Sequence, residues 1–244
     1  MIKYCFDIAV PPYLQCSAAK YKKRRFFVDG LEKATLRVKE FRKREQLILD
    51  TALKLFLEQD EDKVTVETIA DAVGIGKGTI YKHFTSKQEI YVLLLIRYEE
   101  ELAGILQNIQ PDDDKDRLVR EYFQFRMADP ARYALFDRLE KKCAQDESLS
   151  RLIERLHEIR ESNVDQLETV IKARIAEGKL ADVPPYFHIA AAWALVHGAV
   201  GLCSSEFYKD RIEDKEGFFS FLMDAAVKMG NRSRLKNVDE QEME

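Results

Sequence analysis

Cysteine is scarce in this chain. Four cysteines in 244 residues (Cys5, Cys16, Cys143 and Cys203) are widely separated and form no CxxC. That spacing indicates neither a disulfide framework nor a zinc knuckle, and buried, incidental thiols are the expectation for Cys143 and Cys203. Long apolar runs are also missing. The longest, Ile189 to Cys203, is interrupted by His197 and two glycines and falls short of the roughly 18 residues that suggest a membrane span. Histidine is limited to four residues, and His188 and His197 lie nine apart, on opposite faces of a helix at about 100° per residue. His157 has no obvious carboxylate partner, and no Ser-His-Asp or Cys-His order presents itself. No metal, cofactor or catalytic residue is therefore expected. No β-hairpin signal and no internal repeat appear. The first 30 residues lack the pattern of a signal peptide, because the cluster Lys22-Lys-Arg-Arg25 follows the apolar part instead of preceding it. These absences point to a cytoplasmic protein without membrane association.

What is present is an ordinary globular composition, 46% hydrophobic and 34% charged, with a net charge of −4 that hides an asymmetry. Residues 1–98 carry 18 lysines and arginines against 13 acids, and the remainder carries 21 against 30, so a front of +5 precedes a rear of −9. Such a chain offers one end to a polyanion.

Nearly everything reads as helix, so the expected fold is all-α. From Val38 to Leu57 the apolar positions recur at threes and fours. Thr65 is placed to cap a short helix carrying Val66, Ile69, Ala70 and Val73 inward, and Gly74 ends it. A second short helix follows from Lys77 to Phe84, and Ser86 caps a longer one from Lys87 to about Gln107. Gln110-Pro-Asp-Asp-Asp114 reads as a linker. Further helices are expected near 115–128, 131–144, 148–177, 185–207 and 215–229, punctuated by Pro130, Gly178 and Pro184-Pro185.

The stretch GIGKGTIYKHF, Gly74 to Phe84, tests two nucleotide motifs and fails both. A phosphate-binding loop needs a glycine where Asp71 stands and a hydroxyl directly after the lysine, where Gly78 intervenes. A dinucleotide fingerprint needs a glycine where Thr79 stands and a preceding strand. Helix, tight turn, helix fits instead, with Gly74 free to take positive φ and Ile75, Ile80 and Phe84 on the apolar side. The other side holds Lys77, Gly78, Thr79, Tyr81, Lys82 and His83, residue types suited to phosphates and base edges in a major groove.

The run from Thr65 to Ile90, with its cap, turn, second helix and Phe84-Thr-Ser-Lys87 junction in order, resembles the DNA-binding segment of the tetracycline-repressor (TetR) family. The likeness spans about Lys39 to Leu95; beyond it the resemblance is of architecture only. It implies that Tyr81 and Lys87 contact phosphate, that Thr65 caps the supporting helix where it meets the backbone, and that bases are read by the surface of Lys77, Gly78, Thr79, Lys82 and His83. Lys82 could read guanine or simply touch phosphate. The organisation that follows is an N-terminal extension (1–38), a three-helix helix-turn-helix head (39–85), a helical effector-binding and dimerisation domain (86–230) and a polar tail (231–244).

In the rear domain, Ala190, Ala194, Gly198 and Gly201 form a small-residue stripe on a helix apolar nearly all round, so both its faces should be buried. The last helix supplies Phe218 and Leu222 at similar spacing, and two such helices from each subunit would make a four-helix dimer interface, as the family resemblance also implies. Phe123, Met127, Trp193 and His197 are candidates for lining an apolar effector cavity, although plain core packing explains aromatic residues there equally well. The expected partners are double-stranded DNA, a second copy of the chain and a small apolar or amphipathic effector that releases a repressor from a palindromic operator. The alternatives are an effector-independent or architectural DNA-binding protein with a filled core and, more remotely, a nucleotide-using enzyme. Residues 1–35 remain open: Met1 to Pro12 reads as a short strand and turn, while Lys20 to Arg25, with five basic residues in six, is either an arm lying along DNA or a tail without function.

Overall fold

The computed structural model describes residues 12–110, 113–114, 116–144, 146–208 and 210–229, with side chains described from Thr35 onward. Of the strand and turn expected over Met1 to Pro12, residues 1–11 lie outside the described residues and Pro12 opens a helix; the polar tail at 231–244 and the side chains of Lys20 to Arg25 also lie outside them. Nine α-helices are present among the described residues: α1 Pro12–Glu58, α2 Val66–Val73, α3 Lys77–Ile80, α4 Lys87–Leu106, α5 Arg117–Met127, α6 Pro130–Cys143, α7 Ser150–Ala176, α8 Pro185–Ser204 and α9 Lys215–Met229. A 3-10 turn, Glu147–Leu149, leads into α7. The chain divides into two compact units, Met1–Asp50 and Thr51–Glu244, with the division inside α1.

In the first unit, the described part of α1 is an exposed, largely basic segment of helix from Thr35 to Gln46. The helix begins well before Val38, where the amphipathic pattern starts. Between Pro12 and Glu58 there is no internal proline and a single glycine, Gly30, so nothing in the backbone interrupts helix propagation.

The second unit begins with the last turns of α1, where Ala52 and Phe56 are buried and the Phe56 ring packs edge-on against Tyr91 of α4 with centroids 5.1 Å apart. The Thr65 hydroxyl accepts from the Thr68 amide at 3.1 Å, the N-cap of α2. Gly74 ends α2 at φ 77°, and the Ile75 amide returns to the Ala70 carbonyl at 3.0 Å, closing the C-terminus. The α3 helix is shorter than the expected Lys77 to Phe84. After Ile80 the bonding tightens, with Lys82 N–H on the Thr79 carbonyl and His83 N–H on the Ile80 carbonyl, so a turn completes the segment. Ile80 and Phe84 are buried.

Ser86 caps α4 through the Glu89 amide at 3.1 Å. The α4 helix is the spine of the unit, packing against α7, α6 and α5 with Ile90, Leu94, Leu95 and Leu102 buried. Asp129 caps α6, whose first residue, Pro130, lacks the N–H that would have no partner there. The α8 helix is 20 residues long with a mean hydropathy of 1.4, long and apolar enough to cross a membrane by length and composition alone. In this fold it packs against α5, α6, α7 and α9, burying Val196, Ala199, Val200 and Cys203. Only one of its faces is buried within the chain, in contrast to the two that its apolar composition led us to expect.

Candidate nucleic-acid interface and effector cavity

The residues on the turn-side surface are displayed to solvent. Lys77, Gly78 and Lys82 are exposed, Tyr81 is 49% exposed, and Thr79 and His83 are half-buried. Lys77 forms an ion pair with Glu67 of α2 and sits 5.8 Å from the Tyr81 ring centroid. The hydrogen bond that Lys77 donates to the Glu67 carboxylate raises its pKa above the ordinary value, so Lys77 is a cation whose position is set from α2. A Cβ built on Gly78 would meet no atom within 4 Å. The chain's own packing therefore does not require a glycine there, and the smallness of the residue matters only to what approaches from outside.

Lys87 occupies a different setting from the other basic residues. Its ammonium donates to the carbonyls of Glu61 (3.1 Å) and Val64 (3.0 Å), and Tyr91 Oη donates to the same Glu61 carbonyl at 3.3 Å. Lys87 thus fixes the loop between α1 and α2 onto the start of α4. The loop's other anchor is the Glu61 carboxylate, 4% exposed, which accepts from Arg138 Nε and Nη2 and pairs with Lys142 at 3.2 Å, both on α6. Burial pushes the Glu61 pKa upward, but the hydrogen bonds from Arg138 and Lys142 outweigh it and hold the carboxyl at about 2. Asp62 pairs with Lys142 as well.

A cavity of about 490 Å³ opens among α4, α5, α6, α7 and α8. Trp193 and His197 line it, with rings stacked at 5.1 Å, and His197 meets the Tyr133 ring edge-on. Trp193 is 52% exposed at the rim. Phe123 and Met127 are buried on α5 and lie outside the lining, so the four sequence candidates do not converge on one site. The residues that sequence reading passed over are polar. Arg126 Nη2 donates to both oxygens of Glu99 at 3.2 Å, Asn163 Nδ2 donates to the Glu99 carbonyl at 3.1 Å, and Arg160 makes two bonds to Glu140 at 2.7 and 2.8 Å. The Arg126 guanidinium lies 4.8 Å from the Tyr98 centroid and 5.6 Å from that of Tyr122. Burial works to lower its pKa, and the Glu99 charge more than compensates. Burial pushes the pKa of Tyr98, Tyr122 and Tyr133 upward. The one sequence signal for this cluster was an arginine inside an aromatic run, Tyr122 to Met127; the carboxylate it bonds, Glu99, lies 27 residues away.

On α8, Ala190, Ala194, Gly198 and Gly201 are all exposed, and no atom within 4 Å would meet a Cβ at either glycine. On α9, Phe218 and Leu222 are half-buried.

A capped helix, a left-handed glycine turn and a short second helix presenting lysine, threonine and tyrosine define a helix-turn-helix regulator of transcription. The chain belongs to the TetR family. Residues 48–94 match the family model described as bacterial regulatory proteins, tetR family, and residues 116–226 match that of the tetracyclin repressor-like C-terminal domain. Members of this family are DNA-binding regulators, not enzymes. Over 188 residues the chain is 26% identical to the nucleoid occlusion factor SlmA of Vibrio vulnificus, spanning 75% of this chain and 95% of that protein. It is 32% identical over 98 residues to the transcriptional activator FasR of Mycolicibacterium smegmatis, covering 38% and 44% of the two chains. Among solved structures, a tetR-family regulator from Rhodococcus RHA1 superposes with a TM-score of 0.61 at 15% identity, over 78% of this chain and 97% of the other. NalD of Pseudomonas aeruginosa does so with a TM-score of 0.57 at 22% identity, over 79% and 99%.

Proposed function

We propose that this regulator is a homodimeric, cytoplasmic repressor that a small amphipathic effector releases from a palindromic operator. The observation that carries the reading is the placement of α6. Tyr133 and Phe136 on this helix line the 490 Å³ cavity, and Arg138 and Lys142 on the same helix grip Glu61 at the base of the DNA-reading head. An effector that favours one position of α6 therefore favours one position of the head, and acts only through its differential affinity for the two. Aromatic walls and the Glu99–Arg126 pair suit a ligand with a flat apolar body and hydrogen-bonding groups. On DNA, Tyr81 and Lys87 hold phosphate, Thr65 lies where α2 meets the backbone, and Lys77, Gly78, Thr79, Lys82 and His83 face the groove. Lys87 has two of its three N–H groups on loop carbonyls, which leaves one for a phosphate. The exposed stripe of α8 with Phe218 and Leu222 of α9 forms the dimer contact.

Recovering the DNA bound by the purified full chain, and then screening compounds for its release, tests this reading. A short palindrome set free by some compounds but not by others, with His197→Ala blunting the response, is the expected result. A second reading rests on the likeness to a nucleoid occlusion factor along most of the chain: an architectural DNA-binding protein without an effector. Many dispersed sites, and release by no compound, would favour it.

A further inference from the structure

The cavity among α4, α5, α6, α7 and α8 balances its own charges. Glu99 is paired with Arg126 at 3.2 Å and lies 3.6 Å from Arg160 Nε, Arg160 is bonded to Glu140, and Asp137 is paired with Lys141. Every carboxylate and guanidinium of the lining thus has its counter-ion within the chain. A charged ligand would bring a further ion out of water with no partner waiting for it, at a cost well above that of burying a neutral group.

What this wall leaves unsatisfied is one acceptor and one donor. Asn163, 3% exposed, donates through Nδ2 to the Glu99 carbonyl and carboxylate, while its Oδ1 is buried without a hydrogen-bond partner. Arg126, 8% exposed, gives Nη2 to Glu99, and its Nε is likewise buried and without a partner. Both residues line the cavity and both are tied to the same oxygen, Glu99 Oε2, so the two open groups belong to one patch of the wall. Buried polar atoms are as a rule hydrogen-bonded, and two exceptions in one patch mark a place for a group that both donates and accepts. A second patch is aromatic. Trp193 and His197 are stacked with their rings 24° from parallel, and Trp193 is half-exposed at the rim, which offers a flat face to an incoming ring. We propose that the cavity takes an uncharged aromatic carboxamide, its N–H donating to Asn163 Oδ1, its carbonyl accepting from Arg126 Nε and its ring lying against Trp193. The assignment concerns the same cavity as the effector reading and rests on that space being a ligand site.

The test is calorimetric titration of the full chain, without DNA, with four flat probes of similar shape: 2-naphthamide, 2-naphthoate, 2-naphthamidine and 2-acetylnaphthalene. The amide is neutral and carries both bonding groups, the carboxylate is an anion, the amidine a cation, and the ketone lacks the donor. 2-Naphthamide should bind saturably, about tenfold more tightly than the ketone for the added hydrogen bond and about tenfold or more above either ion. Asn163→Leu should bring the amide down to the level of the ketone. Trp193→Ala, a truncation at the exposed rim that spares the fold, should weaken amide and ketone by a similar factor and keep their ratio. No amide binding, an ion bound as tightly as the amide, amide and ketone bound equally by the parent chain, or full amide binding by Trp193→Ala would each overturn the proposal. The first three of these need no variant to fold. Operator release is scored separately. Amide binding without release would leave the assignment standing and remove the effector role, whereas release by an ion with no amide binding would overturn the assignment and keep that role.

Discussion

Arg138 and Glu61, 77 residues apart in sequence, are joined by a two-pronged ion pair in which guanidinium Nε and Nη2 both reach one carboxylate at 3.2–3.3 Å. Arg138 is half-exposed, yet the carboxylate is buried and has Lys142 as a second cation. Removing the carboxylate's charge leaves both cations facing a buried amide, a change worth about 1–3 kcal/mol. The folded pKa of about 2 lies below the ordinary 4.5. The stabilisation is therefore fully present above about pH 4.5 and is lost as the pH falls through about 2. Glu61→Gln should be less stable than the parent at pH 7 in denaturant unfolding, and the gap should close between pH 4.5 and 2. A gap independent of pH would assign the effect to packing. The same variant should bind operator yet respond weakly to effector, since the head is no longer held to α6.

Operator contacts should divide by role. Tyr81→Phe and Lys87→Ala are expected to weaken all operators alike, whereas Thr79→Ala and Lys82→Ala should shift preference at particular base pairs by about 1–3 kcal/mol. Affinity should fall steeply with salt, and the slope should shrink by about one on loss of a phosphate-binding lysine. Uniform losses across all four variants would remove the division. Because Lys87 also bonds the Glu61 and Val64 carbonyls, its alanine variant should in addition melt at a lower temperature, which Tyr81→Phe should not.

The exposed α8 stripe sets a test of assembly. A Cβ at Gly198 would meet no atom within 4 Å and Ala194 is exposed, so Gly198→Leu and Ala194→Leu should leave the monomer folded. At a close helix contact with a second copy the added methylenes cost about 1–3 kcal/mol. Sedimentation at micromolar concentration should show these variants shifted toward monomer. A dimer unchanged in both would move the interface off α8.

Truncation to a chain beginning at Leu36 tests the N-terminal extension. The expected outcome is unchanged operator affinity and salt slope, the behaviour of a tail. A weaker complex with a shallower slope would make Lys20 to Arg25 an arm on the phosphate backbone.

The reading head was legible because its signals are local. Thr65, Gly74 and Ser86 each act on backbone groups within a few residues, so residue type and spacing specify the caps and the turn. The length of α1 was not legible from apolar period, since that pattern reports burial and the extension's exposed part buries little. The absence of breakers from Tyr13 to Gly30 and again to Gly74 was the signal available.

By itself the sequence determined the all-helical class, the helix boundaries to within a few residues beyond α1 and α3, and the helix-turn-helix with its family, because hydrophobic period and capping act over one or two turns. Only tertiary structure decided which charged groups meet. Glu99, Arg126 and Asn163 come from three helices, and Glu61 finds Arg138 only after α6 has packed on α4. Tertiary structure also placed Trp193 at a rim and left Phe123 and Met127 in the core. A side chain's burial depends on what lies opposite it, and a single chain's periodicity carries the direction of a face but not the identity of its neighbour.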